Sequence, residues 1–357
     1  MSDRLRPATR VVHAGLPPAR QGEPYLPGPV FAAPFHLAGP SDASPYGYGR
    51  YANPTWTAYE AALSELEGGE TVVFASGAAA CAAVLLPALG DGDVLVLPSD
   101  GYPVVRKLAT EHLAPRGVEI RWVPTDEQAV RAALPGATLV WVETPSNPGL
   151  DVLDVAALAQ AVHAAGAGLA VDNTLATPLN QRPLELGADL SVSSASKHLT
   201  GHSDLVLGCV AAADPERAAA LRTWRGLTGA IPGPFEVWLA HRSLATLHVR
   251  VERQDATARA LATVLRARDD VASVRHPGFG SVLCFDLGAQ ERAQVFLGAL
   301  RIVAEATSFG GVHSSAERRA RWGTDDVSPG FVRFSVGLED AGDLRADVLR
   351  ALEAAAG

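Results

Sequence analysis

Lysine is almost missing from this chain of 357 residues, which contains only Lys107 and Lys197. The 30 residues counted as Lys plus Arg therefore include 28 arginines. Arginine keeps its proton near neutral pH and cannot act as an amine nucleophile, whereas a neutral lysine can form a Schiff base with a carbonyl group. A chain built this way is expected to keep lysine where arginine cannot replace it. Lys197, which follows a predicted strand and has hydroxyls and histidines on either side, is the better candidate.

Cysteine is also scarce, with Cys81, Cys209 and Cys284 far apart in the sequence. No C-x-x-C or H-E-x-x-H string occurs, which argues against a structural zinc site and against a zincin protease. Each cysteine lies among small apolar residues, so we expect buried thiols without a chemical role. A reducing cytoplasm is the expected compartment.

Long apolar runs and a positive net charge are missing as well. No apolar stretch reaches the roughly 20 residues that a membrane-spanning helix needs, and the start MSDRLRPATR lacks the apolar core of a signal peptide. A net charge of −9 at pH 7 argues against broad binding to nucleic acid or to anionic membranes. The composition, 48% hydrophobic and 19% charged, is typical of a soluble globular protein with room for two domains.

The order of patterns along the chain predicts an α/β fold in three parts. Residues 1–46 are rich in Pro and Gly and are expected to form an extended arm. Residues 47–235 alternate β-rich and helical runs, which predicts a mostly parallel seven-stranded sheet with helices on both faces. Residues 236–357 are expected to form a smaller α+β domain that a long helix, 236–268, links to the first. The predicted strands of the sheet are 71–75, 94–97, 119–123, 138–142, 169–172, 190–193 and 205–210.

Polar residues stand at or just after the carboxyl ends of the predicted strands, the edge where such sheets bind ligands. Ser76-Gly77 opens a helix, where backbone amides and the helix start favour an anion. Asp172 ends the fifth strand and could keep a heteroaromatic ring nitrogen protonated. Two hydroxyls and the candidate amine follow the sixth strand in Ser194-Ala-Ser-Lys197. Pyridoxal 5′-phosphate requires this set: an anion cradle, hydroxyls, a carboxylate and a lysine.

Ser194-Ala-Ser-Lys197 also matches the S-x-x-K string of penicillin-recognising serine enzymes. Those enzymes need S-D-N and K-T-G strings as well, and neither occurs here. The run 317–321 is rich in arginine and is interpreted as a solvated helix face.

Nearly the full length of the chain resembles the Cys/Met-metabolism group of fold-type-I pyridoxal-phosphate enzymes. This group includes cystathionine γ-lyases, γ-synthases and β-lyases and methionine γ-lyases. The matching strings are TRVVHAG at 9–15, YGYGRYANPT at 46–55, SG at 76–77, ETPSNP at 143–148, VDNT at 171–174, SASKHLTGHSD at 194–204 and RFSVGLED at 333–340.

The resemblance implies roles for residues around the cofactor. Lys197 would hold the aldehyde and move protons, Asp172 would pair with the pyridine nitrogen, and Tyr102 would stack on the ring and act as acid or base. Asn147 would lie near the phenolic oxygen. The phosphate would be held by Ser76, Gly77, Ala78, Ser194 and Ser196, and by Tyr48 and Arg50 of a neighbouring subunit.

The resemblance also implies the substrate site and the assembly. Arg333 would bind the α-carboxylate of an amino acid with help from Ser308. Thr307 stands where many relatives have Glu, near the far end of the substrate, and the loop after Gly311 is short, so we expect relaxed substrate selection. A homodimer with shared sites, assembled into a homotetramer, is expected.

The implied activity is γ-elimination from cystathionine, methionine or homocysteine, which yields a 2-oxo acid, ammonia and a thiol. One alternative is γ-replacement on an O-acyl-homoserine, because the same residues serve both reactions. A second alternative is a pyridoxal-phosphate-binding protein without turnover, which could dispense with Arg333 and Tyr102.

Overall fold

The first part of the chain contains a short helix that the sequence did not predict. The structure is a computed structural model that describes residues 5–40 and 42–356. Helix α1 (Pro7–His13) begins at a proline, which is tolerated in the first turn, and buries Val11. The described residues between 14 and 46 form no further helix or strand, and the division of the chain at residue 46 stays a prediction. Residues 1–4 and 41 of the predicted arm lie outside the described residues.

The second part is a seven-stranded sheet with the order β1-β7-β6-β5-β4-β2-β3. Strand β7 runs antiparallel to both neighbours, and the other neighbouring pairs are parallel. The carboxyl ends of β1, β2, β4, β5 and β6 therefore meet at one edge. The elements in chain order are α2 (Pro54–Glu67), β1 (Glu70–Phe74), α3 (Gly77–Ala88), β2 (Val94–Pro98), α4 (Pro103–Leu108), β3 (Glu119–Val123), α5 (Glu127–Ala132), β4 (Leu139–Glu143), α6 (Val155–Ala164), β5 (Gly168–Asp172), α7 (Thr177–Asn180), β6 (Leu190–Ser193), β7 (Gly208–Ala212) and α8 (Pro215–Thr228).

Helices cover both faces of this sheet, as predicted. In strand β4, Leu139 and Trp141 pack into one core with α3 and α8, whereas Val140 and Val142 pack into another with α5 and α6. This division follows from the strand geometry, in which successive side chains point to opposite faces. Because both faces are covered, inner strands such as β2 and β4 are almost continuously apolar.

Strand β7 is shorter than predicted, because it begins at Gly208 and not at residue 205. The backbone of Leu207 is bonded to Ser196 instead of to a neighbouring strand. Its N–H donates to Ser196 Oγ at 2.9 Å, and its carbonyl accepts from the same hydroxyl at 3.0 Å. These bonds attach residue 207 to the loop that carries Lys197.

The predicted long helix 236–268 is two helices that are separated at Ala245 and Thr246. The Ser243 carbonyl accepts from Thr246 Oγ1 at 3.0 Å and from the buried Arg250 guanidinium at 3.1 Å, which ends the first helix. The elements from here on are α9 (Pro234–Leu244), α10 (Leu247–Arg266), β8 (Ser273–Arg275), β9 (Val282–Asp286), α11 (Gln290–Ala299), β10 (Ala304–Glu305), β11 (Ser315–Arg318), β12 (Phe331–Ser335) and α12 (Ala341–Ala356).

The third part is a five-stranded sheet with the order β10-β11-β12-β9-β8. Helices α10, α11 and α12 pack on one face through residues such as Val332 and Phe334. Arg333, between those two residues, points from the other face towards the large sheet, where it contacts Asn147. In the part of the chain that the structure describes, no helix has the length and apolarity to cross a membrane.

Candidate active site

A cavity of about 950 Å³ opens where the carboxyl edge of the large sheet faces the small sheet. It brings together all the predicted site residues except Tyr48 and Arg50. Those that line it are Ser76, Gly77, Ala78, Tyr102, Asn147, Asp172, Ser194, Ser196, Lys197, Thr307, Ser308 and Arg333. The two domains both contribute side chains, so the cavity exists only when they pack together.

The start of α3 forms a narrow cradle at the end of β1. Ser76 caps the helix by accepting from the Ala79 amide at 3.0 Å. A Cβ atom on Gly77 would lie 2.9 Å from both Cβ and Oγ of Ser194, so even the methyl group of alanine would require Ser194 to shift. The first amides of a helix carry partial positive charge and lack partners within the helix. The cradle is therefore suited to an anion that approaches the backbone closely.

Asp172 is a buried carboxylate without a cationic partner among the described residues. Its Oδ1 accepts from the Thr174 amide at 3.0 Å and from the Thr174 hydroxyl at 2.6 Å. Burial raises the pKa of Asp172, and the two bonds from Thr174 offset this only in part. An ionised carboxylate in this position calls for a cation beside it.

Glu143, on the neighbouring strand, was not predicted to be a site residue. It is paired in register with Asp172, and burial followed by the Asp172 charge raises the pKa of Glu143 well above its ordinary value. Its Oε2 accepts from the Tyr102 amide at 2.7 Å, which fixes the turn before α4. Its position at the end of a predicted strand, in the ETPSNP string, was the available signal.

Tyr102 is partly buried, and Pro103 after it occupies the first position of α4, where proline is tolerated. Burial, and then the nearby groups Cys81, Asp172 and Glu143, raise the pKa of the Tyr102 phenol. The phenol therefore keeps its proton at neutral pH.

Lys197 lies in the cavity with its amine partly desolvated. Its Nζ donates to Ser308 Oγ at 2.6 Å and lies 5.1 Å from the centre of the Phe309 ring. Burial and then the Arg333 charge lower the pKa of Lys197 to about 8. Ser308 has a φ of 85°, which is uncommon for a residue other than glycine and is typical of functional sites.

Arg333 is buried and held at both terminal nitrogens. One nitrogen donates to Asn147 Oδ1 at 2.6 Å, and the other donates to Glu317 Oε1 and, at 3.3 Å, to the Ser308 carbonyl. Asn147 was predicted to lie near the cofactor, and the structure shows that it also contacts the predicted carboxylate arginine.

The run 317–321 does not form the predicted solvated helix. Glu317 lies in β11, Arg319 begins a short 3₁₀ turn, and both are buried. Burial is possible because Glu317 is bonded to Arg319 at 2.9 Å as well as to Arg333, and Arg319 is bonded to Asp325 at 2.6 Å. The composition of this run is typical of a protein surface, but Glu317 and Arg319 belong to a buried cluster of ion pairs. No local pattern in the sequence indicates this cluster.

Ser196 and the two histidines beside Lys197 have internal partners. The single hydroxyl proton of Ser196 is donated to the Leu207 carbonyl, which leaves it no proton to offer an anion in this arrangement. His198 is buried with Nε2 at 2.7 Å from Ser281 Oγ, and His202 Nδ1 is 2.7 Å from the Thr200 carbonyl. Both histidines are held by packing and hydrogen bonds, in agreement with the sequence interpretation.

Tyr48 and Arg50 lie outside the cavity of their own chain. Tyr48 is 46% exposed, and Arg50 donates to the Gly226 carbonyl at 2.7 Å and to the Tyr51 hydroxyl at 3.0 Å. Their predicted role requires a second subunit and stays a prediction.

Comparisons with known proteins find relatives along nearly the whole chain. The family model described as "Cys/Met metabolism PLP-dependent enzyme" matches residues 9–353. A Streptomyces coelicolor protein with a provisional cystathionine gamma-lyase name is 55% identical over 97% of this chain and 93% of its own. Escherichia coli cystathionine gamma-synthase is 36% identical, over 98% of each chain. The solved structure of a methionine gamma lyase from Micromonospora echinospora superposes with a TM-score of 0.92 at 36% identity, over 99% of this chain and 100% of that one.

Proposed function

Because this chain belongs to the Cys/Met metabolism family of pyridoxal-phosphate-dependent enzymes, we propose that it catalyses γ-elimination from a sulfur amino acid. Cystathionine, methionine or homocysteine would yield a 2-oxo acid, ammonia and a thiol. The observation that carries the proposal is that Lys197, Asp172 and Arg333 line the same cavity. The name of the relative with 55% identity supports elimination over replacement.

The residues of the cavity fit the family's cofactor. The Asp172 carboxylate, which has no cationic partner among the described residues, suits a protonated ring nitrogen, and the Gly77 cradle suits a phosphate. Lys197 would hold the aldehyde, and the Gly77 and Ala78 amides with the Ser76 and Ser194 hydroxyls would hold the phosphate. Tyr102 and Asn147 would contact the ring. When bound, the cofactor supplies an electron sink for a carbanion at the substrate's α-carbon.

The side chains of this chain would then bind the substrate and move its protons. Arg333 binds the α-carboxylate and sets the direction of the α-C–H bond. Lys197, with a pKa of about 8, is neutral in part of the molecules near neutral pH when its amine is free, so its Nζ can take the α-proton and, after it has released that proton, a β-proton. Tyr102 keeps its phenolic proton and can donate it to the departing thiolate.

The far end of the cavity supports relaxed substrate selection. Thr307 is exposed, and the carboxylate that it contacts, Glu317, is already paired with Arg333 and Arg319. A distal ammonium group such as that of cystathionine would therefore find no free carboxylate at Thr307. We expect methionine and homocysteine to react at rates comparable to cystathionine.

We further propose that the active form is a homodimer with shared sites, assembled into a homotetramer. Tyr48 and Arg50 stand outside their own cavity, and large apolar side chains of the arm, such as Tyr25 and Phe31, are 83% and 70% exposed. A subunit interface would cover these side chains. The cytoplasmic location also stays a prediction, with which the buried and free state of all three cysteines agrees.

A substrate panel tests the reaction. Cystathionine, methionine and homocysteine are assayed for 2-oxo acid, and O-acetyl- and O-succinylhomoserine are assayed with and without cysteine, with Lys197→Ala as the inactive control. We expect 2-oxo acid from the three sulfur amino acids without added thiol. Turnover of the activated homoserines alone, and only with a thiol, would replace elimination with γ-replacement.

A further inference from the structure

Glu317 forms a buried ion pair with Arg333. Its Oε1 accepts from the Arg333 nitrogen that lies opposite the one bonded to Asn147, so the two acceptors hold both ends of the guanidinium plane. All three residues are buried, with exposures of 1% for Glu317, 4% for Arg333 and 7% for Asn147. At such burial a charged pair is strong only when its geometry is fixed.

Glu317 itself is held by residues from three positions around the cavity. Its Oε2 accepts from Trp322 Nε1 at 2.9 Å, and its Oε1 accepts from the Arg319 guanidinium at 2.9 Å and from Thr307 Oγ1 at 3.3 Å. Burial raises the pKa of Glu317, but Arg333, Trp322 and Arg319 outweigh it and lower the pKa below its ordinary value. The carboxylate is therefore ionised at neutral pH and has one orientation.

We propose that Glu317 is a positioning residue for the substrate site: it fixes the orientation of Arg333 and offsets part of its charge before the α-carboxylate binds. The inference rests on the proposed function, in which Arg333 receives that carboxylate. A fixed guanidinium presents the α-C–H bond to Lys197 in one direction, which favours turnover. An offset charge weakens binding of the anionic group, which keeps the ground state from being held too tightly.

The two effects have opposite signs in a Glu317→Gln variant, which keeps the size of the side chain and removes its charge. Loss of orientation should lower kcat by about 10-fold or more. Loss of the competing charge should leave the affinity for an amino-acid carboxylate unchanged or tighten it by roughly 2- to 10-fold. A side chain that only supports the fold would not separate kcat from affinity in this way.

The experiment uses the cofactor-loaded enzyme and two readouts. Binding of L-norleucine, which has the shape of methionine but no sulfur leaving group, is measured by calorimetry, and kcat and KM are measured with methionine. Glu317→Asp keeps the charge and should recover part of kcat with wild-type affinity. The Trp322 ring is 49% exposed and donates one hydrogen bond to Glu317. Trp322→Phe removes this bond without changing a buried side chain, so it also tests whether Glu317 must be held in place.

Asp270→Asn is the matched control. Asp270 also lies between two arginines, Arg268 at 2.7 Å and Arg292 at 2.6 Å, in the same domain but away from the cavity. It should change neither readout. The inference is overturned if Glu317→Gln keeps kcat within about twofold of wild type or binds norleucine more than about threefold weaker. Failure of the wild type to bind norleucine, or unchanged binding by Arg333→Lys, would instead refute the proposed role of Arg333.

Discussion

Asp172 and Glu143 form a pair of buried carboxylates on adjacent strands, and neither forms a salt bridge with the described residues. Burial raises the pKa of both groups above the unfolded-state values. A group with a raised pKa stabilises the fold below its unfolded-state pKa and loses that contribution as pH rises through its folded-state pKa. The cofactor-free protein is therefore expected to lose stability as pH rises above the ordinary range of a carboxyl group.

Replacing Asp172 with Asn tests how much the buried carboxylate lowers the stability of the cofactor-free protein. Without cofactor, the variant should be more stable than wild type at neutral pH, by a few °C if about 1 kcal/mol of desolvation is relieved. With cofactor, it should lose turnover by at least ~10²-fold because the charge that pairs with the ring nitrogen is gone. Thermal unfolding between pH 5 and 8, with and without cofactor, checks both points. A less stable cofactor-free variant, or near-normal turnover with an unchanged cofactor spectrum, would contradict them.

The lowered pKa of Lys197 should be measurable in the pH dependence of cofactor attachment. Only the neutral amine attacks an aldehyde, and the neutral fraction grows as pH rises through the pKa of about 8. The rate at which the cofactor attaches to the cofactor-free protein should therefore rise with an apparent pKa near 8, as followed by absorbance. An apparent pKa near that of free lysine, or borohydride labelling of the exposed Lys107, would refute this assignment.

At the scale of elements, the sequence predicts best where one local pattern decides the structure. Strands β3 and β6 have the predicted bounds, and helix α2 begins where Asn53 caps it and Pro54 opens it. The misses depend on side-chain contacts that no local pattern in the sequence shows. The break between α9 and α10 needs Arg250 on the Ser243 carbonyl, and the burial of Glu317 and Arg319 needs their partners Arg333 and Asp325.

The start of α3 should be sensitive to a single added methyl group. In Gly77→Ala the new Cβ would lie 2.9 Å from Ser194, so the cradle must open or the loop of Lys197 must shift. We expect cofactor affinity to fall by about 10-fold or more, because the backbone can no longer approach an anion. Gly298→Ala in α11 is the control, because a methyl group there meets no atom within 4 Å. It should leave the cofactor affinity unchanged. Equal cofactor affinity in both variants, measured by fluorescence titration, would show that the cradle does not bind the phosphate.

At the scale of the whole molecule, most residues of the candidate site could be predicted from the sequence, whereas Glu143, Glu317 and the contacts between the two sheets could not. Strand ends of the large sheet collect at one edge by topology alone, which explains why Lys197 and Asp172 could be placed together from sequence. Arg333 reaches them from the other domain and contacts Asn147, 186 residues away in the sequence. Packing between domains sets that contact, and with it the role of Glu317.

Whether a single chain suffices for activity also depends on how the subunits of the whole molecule assemble. If Arg50 completes the phosphate site of a neighbouring subunit, Arg50→Ala damages the neighbour's cavity, whereas Lys197→Ala damages its own. A mixed dimer of the two variants then has one site with both lesions and one site with neither. Unfolding and refolding an equal mixture should restore up to about a quarter of wild-type activity, because about half of the dimers are mixed and each has one intact site of two. Each variant refolded alone is the control. Activity that never exceeds the sum of the parents would mean that each site is built from one chain. Tyr48 and Arg50 would then lie outside the cofactor site.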